Sequence, residues 1–144
     1  MADVVKDELR QKLERLLDEI FGSHPTDSEG DFVVPHGSAV AFLRPIEIYG
    51  GQTAVRVWAI TNVGLDATDD LARYIATENG KLVFGVLSLD DTRGAVVLGH
   101  TLLGEFLNRE EVKVAVAAVA MVADSYDEEI KARFGGRLFT EPAQ

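Results

Sequence analysis

Residues 39 to 61 read Ala39-Val-Ala-Phe-Leu-Arg-Pro-Ile-Glu-Ile-Tyr-Gly-Gly-Gln-Thr-Ala-Val-Arg-Val-Trp-Ala-Ile-Thr61. Two runs rich in β-branched and aromatic residues, Ala39 to Ile48 and Thr53 to Thr61, meet across Tyr49-Gly50-Gly51-Gln52, which is the pattern of a hairpin. If Gly50-Gly51 is a two-residue turn, its glycines supply the positive φ that primed turns require. Tyr49 then faces Gln52 and Leu43 faces Trp58. That register sorts the two faces. One carries Val40, Phe42, Arg44, Ile46 and Ile48 with Val55, Val57 and Ala59. The other carries Ala41, Leu43, Pro45, Glu47 and Tyr49 with Ala54, Arg56, Trp58 and Ile60. The first is the more aliphatic and is expected to lie beneath helices. The second mixes aromatic, aliphatic and charged groups, as a solvated or partner-facing surface does. A slip of one residue would swap these assignments.

Outward from the hairpin, residues 3 to 21 have the spacing of a helix. Val5, Leu9, Leu13, Leu16 and Ile20 hold one face, Leu17 and Phe21 widen it, and Gly22 is a natural stop. Residues 23 to 31 have little to bury and read as a loop. Phe32-Val33-Val34 is a short strand that turns through Pro35-His36-Gly37-Ser38 into the hairpin. Thr68 is the expected N-cap of a middle helix ending at Asn79-Gly80, with Leu71, Tyr74 and Ile75 inward. Leu82 to Leu89 and Ala95 to Leu102 are strands flanking the loop Asp90-Asp91-Thr92-Arg93-Gly94.

The last helix runs from Asn108 to Phe134 and stops at Gly135-Gly136. Val112, Val116, Val119, Ala123, Tyr126 and Ile130 form one face, and Val114, Ala118 and Met121 form a second stripe. A helix apolar on two sides needs cover on two sides, from its own sheet and from another helix or a partner chain. Asp127 with Lys131, and Glu129 with Arg133, are acid-before-base pairs four apart. The expected fold is α+β, a five-stranded antiparallel sheet with helices mainly on one face, in the order α-βββ-α-ββ-α. Residues 1-136 form one domain, and 137-144 a tail in which Leu138 and Phe139 can dock.

Composition narrows the function. A 144-residue chain can bury roughly 70% of its unfolded surface in one core. The net charge of −10 and sequence pI near 4.6 argue against nucleic acid or anionic membrane as partner, and would suit a basic or hydrophobic one. No cysteine is present, so disulfides, thiolate metal sites and a cysteine nucleophile are excluded. The N-terminus lacks the pattern of a signal peptide, and the longest apolar run, Val114 to Ala123, is too short to span a bilayer. A cytoplasmic protein is the expectation.

No catalytic motif emerges. His24, His36 and His100 lack metal-ligand spacing, and His36-Gly37-Ser38 sits in no nucleophile elbow. The acidic loop from Asp27 to Asp31 misplaces the glycine and glutamate of a calcium loop. Asp69-Asp70, Asp90-Asp91 and Asp127-Glu128-Glu129 are sequence neighbours, and on a helix such neighbours point apart. Neither Gly50-Gly51 nor Gly135-Gly136 opens a helix as a phosphate cradle would. No cofactor, no metal and no enzymatic activity are expected.

Four stretches carry a family resemblance. They are Asp66 to Gly80 (DATDDLARYIATENG), Leu82 to Leu89 (LVFGVLSL), His100 to Gly104 (HTLLG), and Val119 to Ile130 (VAMVADSYDEEI) with its Phe-Gly-Gly end. Together with the element order, they resemble the YbjN family and the fold it shares with type III secretion chaperones, over residues 32 to 136. The resemblance implies a non-enzymatic domain that dimerises and holds an extended segment of a partner protein against apolar grooves. It brings no catalytic residues. The YbjN branch also carries the label of sensory transduction regulator, so a small-ligand sensor is the alternative function.

Leu43, Tyr49, Arg56, Trp58 and Ile60 are the candidate partner-binding residues, because aromatics and arginine concentrate at interfaces. The competing reading covers Trp58 and Ile60 with the chain's own first helix. Val114, Ala118 and Met121 are a candidate homodimer seam, with internal burial as the competing reading.

Overall fold

A computed structural model describes residues 2–22, 25–37 and 39–142, with side chains from Lys6 onward. Val5, His24 and Ser38, which figure in the expectations above, lie outside the described side chains. The elements are α1 (Ala2–Phe21), β1 (Phe32–His36), β2 (Ala39–Glu47), β3 (Thr53–Val63), α2 (Asp69–Asn79), β4 (Val86–Asp90), β5 (Ala95–Leu103), α3 (Arg109–Phe134) and β6 (Arg137–Leu138). Single turns of 3-10 helix occupy Tyr49–Gly51 and Gly104–Phe106. The antiparallel sheet has the order β1-β2-β3-β5-β4.

Helix boundaries follow local chemistry. The Thr68 hydroxyl accepts from the Leu71 amide at the start of α2, and the Asn108 side chain accepts from Glu111 at the start of α3. Asp69, Asp70, Glu110 and Glu111 lie in the first turns, where carboxylates suit the positive end of the helix dipole. Gly135, at φ 84°, ends α3 in a conformation that side-chain-bearing residues rarely adopt.

The core lies between one sheet face and the three helices. Leu9, Leu13 and Leu17 of α1, Leu71 and Ile75 of α2, and all six expected inward residues of α3 are buried together. They meet Phe32, Val34, Leu43, Val55, Val57, Ala59, Leu87 and Leu98 of the sheet. Fully burying one such aliphatic side chain is worth about 1.5–3 kcal/mol.

The hairpin register departs from the expectation by one residue. Ile48 donates its amide to the Gln52 carbonyl, so the loop is Tyr49-Gly50-Gly51 and Phe42, not Leu43, lies opposite Trp58. Both glycines have positive φ, as expected, but they serve a three-residue loop. The assignment of faces therefore holds for β3 and inverts for β2. Ala41, Leu43 and Pro45 face the helices, while Phe42, Arg44 and Ile46 join Arg56, Trp58 and Ile60 on the open face.

Three further departures have local causes. β4 begins at Val86 because Gly85, at φ 87°, interrupts the strand. The tail adds a sixth strand: β6 pairs Asn62 and Val63, beyond Trp58 where the β2 pairing ends. Lys131 does not pair with Asp127. It reaches Glu141 of the tail at 2.8 Å, and Glu141 also accepts from the Leu138 amide, while the expected Glu129–Arg133 pair stands at 3.8 Å.

Both outer edges of the sheet are partly closed. On β4, the Asn79 side chain accepts from the Leu87 amide at 2.7 Å and donates to its carbonyl at 2.9 Å, standing in for a neighbouring strand. On β1, the Val33 amide is taken by the Pro25 carbonyl, and Pro35 has no amide to offer.

Candidate functional site

The open face of the sheet brings together Arg56, Trp58 and Ile60 from the expected contact set. Tyr49 stands apart at the hairpin tip, 86% exposed. Leu43 belongs to the core instead, fully buried, because the three-residue loop turned β2 over. The residues that sequence reasoning placed on the wrong side are Phe42, Arg44 and Ile46; Val97 of β5 completes the surface. Cross-strand pairing was the signal for them, and it becomes readable only once the loop length is known.

Trp58 is the organising side chain. Its ring stacks on Phe42 with centroids 5.5 Å apart and planes 20° from parallel. The Arg44 guanidinium carbon lies 5.3 Å from the Trp58 ring centroid, a cation–π distance. Phe139 of the tail meets Phe42 edge-on at 6.0 Å, positioned by its amide, which donates to the Thr61 carbonyl. Among the described residues no helix covers this surface: α1 sends Leu9, Leu13 and Leu17 into the core on the opposite side. The covered reading of Trp58 is thus replaced by a half-buried one, in which the ring stacks on Phe42 of the neighbouring strand.

A cleft of about 220 Å³ lies on this face, lined by Arg44, Ile46, Arg56, Trp58 and Val97. Arg44 is locked from one side, its Nε and Nη2 donating to the two oxygens of Asp31 at 2.5 and 2.8 Å, with Glu29 at 3.3 Å. Asp31 is almost fully buried, and the two-point bond satisfies its charge. Arg56 donates to the Thr101 hydroxyl at 2.6 Å, and its guanidinium lies where a side chain at Gly99 would have to go.

A second surface lies along α3. Val114 is 44% and Met121 65% exposed, with Ala118 half-buried between them, so internal burial does not account for this stripe. Beside Val114, a cleft of about 360 Å³ opens between α3 and the β4–β5 edge, lined in part by Phe84, His100, Leu102 and Glu111. Phe84 and His100 meet edge-on at 5.4 Å. Burial pushes the His100 pKa down, Arg56 adds to that, and Glu111 opposes it. Farther along, Tyr74 bonds Glu129 at 2.9 Å, and burial, then that bond, push its pKa far up, so it stays a neutral donor joining α2 to α3.

Among the described residues no group of three or more His, Asp or Glu side chains could hold a metal ion. The Asp27 carboxylate accepts from the amides of Glu29 and Asp31, which organises its loop. Among the described residues no helix is long and apolar enough to cross a membrane.

Comparison with solved structures places the fold. The chain is similar to one in the crystal structure of the ExsC–ExsE complex, with a TM-score of 0.62 and 19% identity over 82% of this chain and 92% of that one. It is similar to YbjN from E. coli, with a TM-score of 0.62 and 17% identity over 83% and 91%. It also resembles the Yersinia pestis type III secretion chaperone SycH complexed with a fragment of YscM2, with a TM-score of 0.51 and 14% identity over 87% and 98%. Comparison with curated protein sequences returns no match. The model of one family, described as T3SS (YopN, CesT) and YbjN peptide-binding chaperone 1, matches residues 7–142. With nearly its whole length matched, the chain belongs to that family of peptide-binding chaperones.

Proposed function

We propose that this protein is a non-catalytic chaperone or adaptor that captures an extended segment of a partner protein on its open sheet face. One observation carries the reading: Phe42, Arg44, Arg56, Trp58 and Ile60 share a face that no helix covers. Aromatic and arginine side chains are the usual anchors of protein contacts. The face, rather than an edge, is the place of contact because Asn79 and Pro35 obstruct strand addition at β4 and β1. The family's peptide-binding description and the complexes formed by its structural neighbours support the same reading. A small-ligand sensor is not favoured, since the clefts here open to solvent rather than enclosing a ligand.

Self-association along α3 completes the proposal. Val114 and Met121 flank Ala118 at −4 and +3, so two copies crossing antiparallel at Ala118 would set Val114 of each against Met121 of the other. Such a self-complementary patch is what a two-fold dimer needs. The high net negative charge suits a cytoplasmic chaperone.

Trp58→Ala tests the face. The variant is expected to melt cooperatively yet lose at least most of its partner capture in pull-downs. Undiminished capture by a folded Trp58→Ala protein would remove the face from the account.

A further inference from the structure

The arginines on the open face pose an electrostatic question. Arg44 and Arg56 are direct cross-strand partners, and like charges placed opposite each other on a sheet are destabilising. Arg44 is neutralised by Asp31 and Glu29. Arg56 is not: it donates to a neutral hydroxyl, and among the described residues no carboxylate lies within ion-pair distance of it. Arg56 therefore carries its charge directly opposite a second arginine.

The Arg56 side chain is nonetheless held in place. Thr101 fixes one arm of the guanidinium, and the bare backbone of Gly99 leaves room for the other. Its fork borders the cleft whose other walls are Trp58, Ile46, Val97 and the Arg44 side chain, whose charge Asp31 already holds. At about 220 Å³ this cleft is smaller than the roughly 300–1,000 Å³ of small-molecule sites, a size that suits one side chain of a longer segment. The chain's own tail shows how such a segment presents itself: strand-paired backbone at β6, then an aromatic, Phe139, laid against Phe42.

We propose that the segment captured on this face carries an aspartate or glutamate next to an apolar or aromatic residue, with the carboxylate bound by Arg56 and the apolar side chain seated against Trp58. The inference rests on the open face being the peptide-binding site, and it adds the class of sequence that site selects. A guanidinium fork matches a carboxylate in geometry, and a carboxylate placed there offsets the Arg44–Arg56 repulsion.

Trp58 is the only tryptophan, so its fluorescence reports on this face alone. The probes are two matched pools of short peptides, acetylated and amidated to remove terminal charges. Both carry an aromatic among β-branched residues, followed by aspartate in one pool and asparagine in the other. The aspartate pool is expected to bind about three- to tenfold more tightly at low salt, with the advantage shrinking as salt rises. Arg56→Gln should abolish the advantage, and Arg56→Lys should retain part of it. Equal binding of the two pools, or an advantage that survives in folded Arg56→Gln, would overturn the inference and leave the peptide face standing. Failure of both pools to bind would overturn the peptide face itself.

Discussion

Phe42 and Leu43 are neighbours in sequence and opposites in environment: Leu43 is fully buried under the helices, and Phe42 stacks on Trp58 at the open surface. Leu43→Ala should therefore lower the unfolding free energy by about 2–5 kcal/mol in urea titrations, the range for a truncated core leucine. Trp58→Ala should cost clearly less, since its ring is only partly buried. The reverse ranking would restore the two-residue turn. His100 supplies a second test. Its pKa is held below the ordinary value of about 6.5 chiefly by burial, so the fold favours the neutral imidazole. Unfolding then takes up a proton below about pH 6.5. The contribution of His100 is complete above that value and is lost as pH falls through the lowered folded pKa. Stability measured from about pH 7 to about pH 5 should fall less steeply in His100→Gln than in the parent; an unchanged slope would contradict this.

At the scale of elements, strict alternation made the two faces of β3 readable, since Val55, Val57 and Ala59 are aliphatic and Arg56 and Trp58 are not. β2 gave no such contrast. Both of its faces carry apolar residues, so its orientation depended on the loop, and Gly50-Gly51 fits a two- or a three-residue loop equally well in sequence. The inward face of α3 was legible from its spacing, down to Tyr126 and Ile130. β6 was not legible as a strand: it is two residues long and held by contacts from Lys131 to Glu141 and from Thr61 to Phe139. The outer stripe of α3 has an exposure that only the packed structure could reveal. If Val114, Ala118 and Met121 form a two-fold seam, Ala118→Glu should yield a monomer in sedimentation analysis without loss of helix content. An oligomeric state unchanged by this substitution would move the seam elsewhere.

At the scale of the molecule, a layer of three helices stabilises one face of the sheet and leaves the other for the proposed contact. The arrangement separates the two tasks. Leu13, Leu17, Val116 and Ile130 can be optimised for packing without touching the surface that carries Phe42, Arg56 and Trp58. The partly closed sheet edges limit unwanted strand pairing in a protein that exposes apolar groups such as Val114 and Met121. On the proposed reading the partner lies on the open sheet face and not along α3. The most direct measurement is photo-crosslinking, with benzoylphenylalanine substituted at Val97 in one protein and at Val114 in another, each irradiated with the native cytosol. Partner adducts are expected from position 97, and from position 114 adducts only with a second copy of the chain. Partner adducts from position 114, with none from position 97, would contradict that reading.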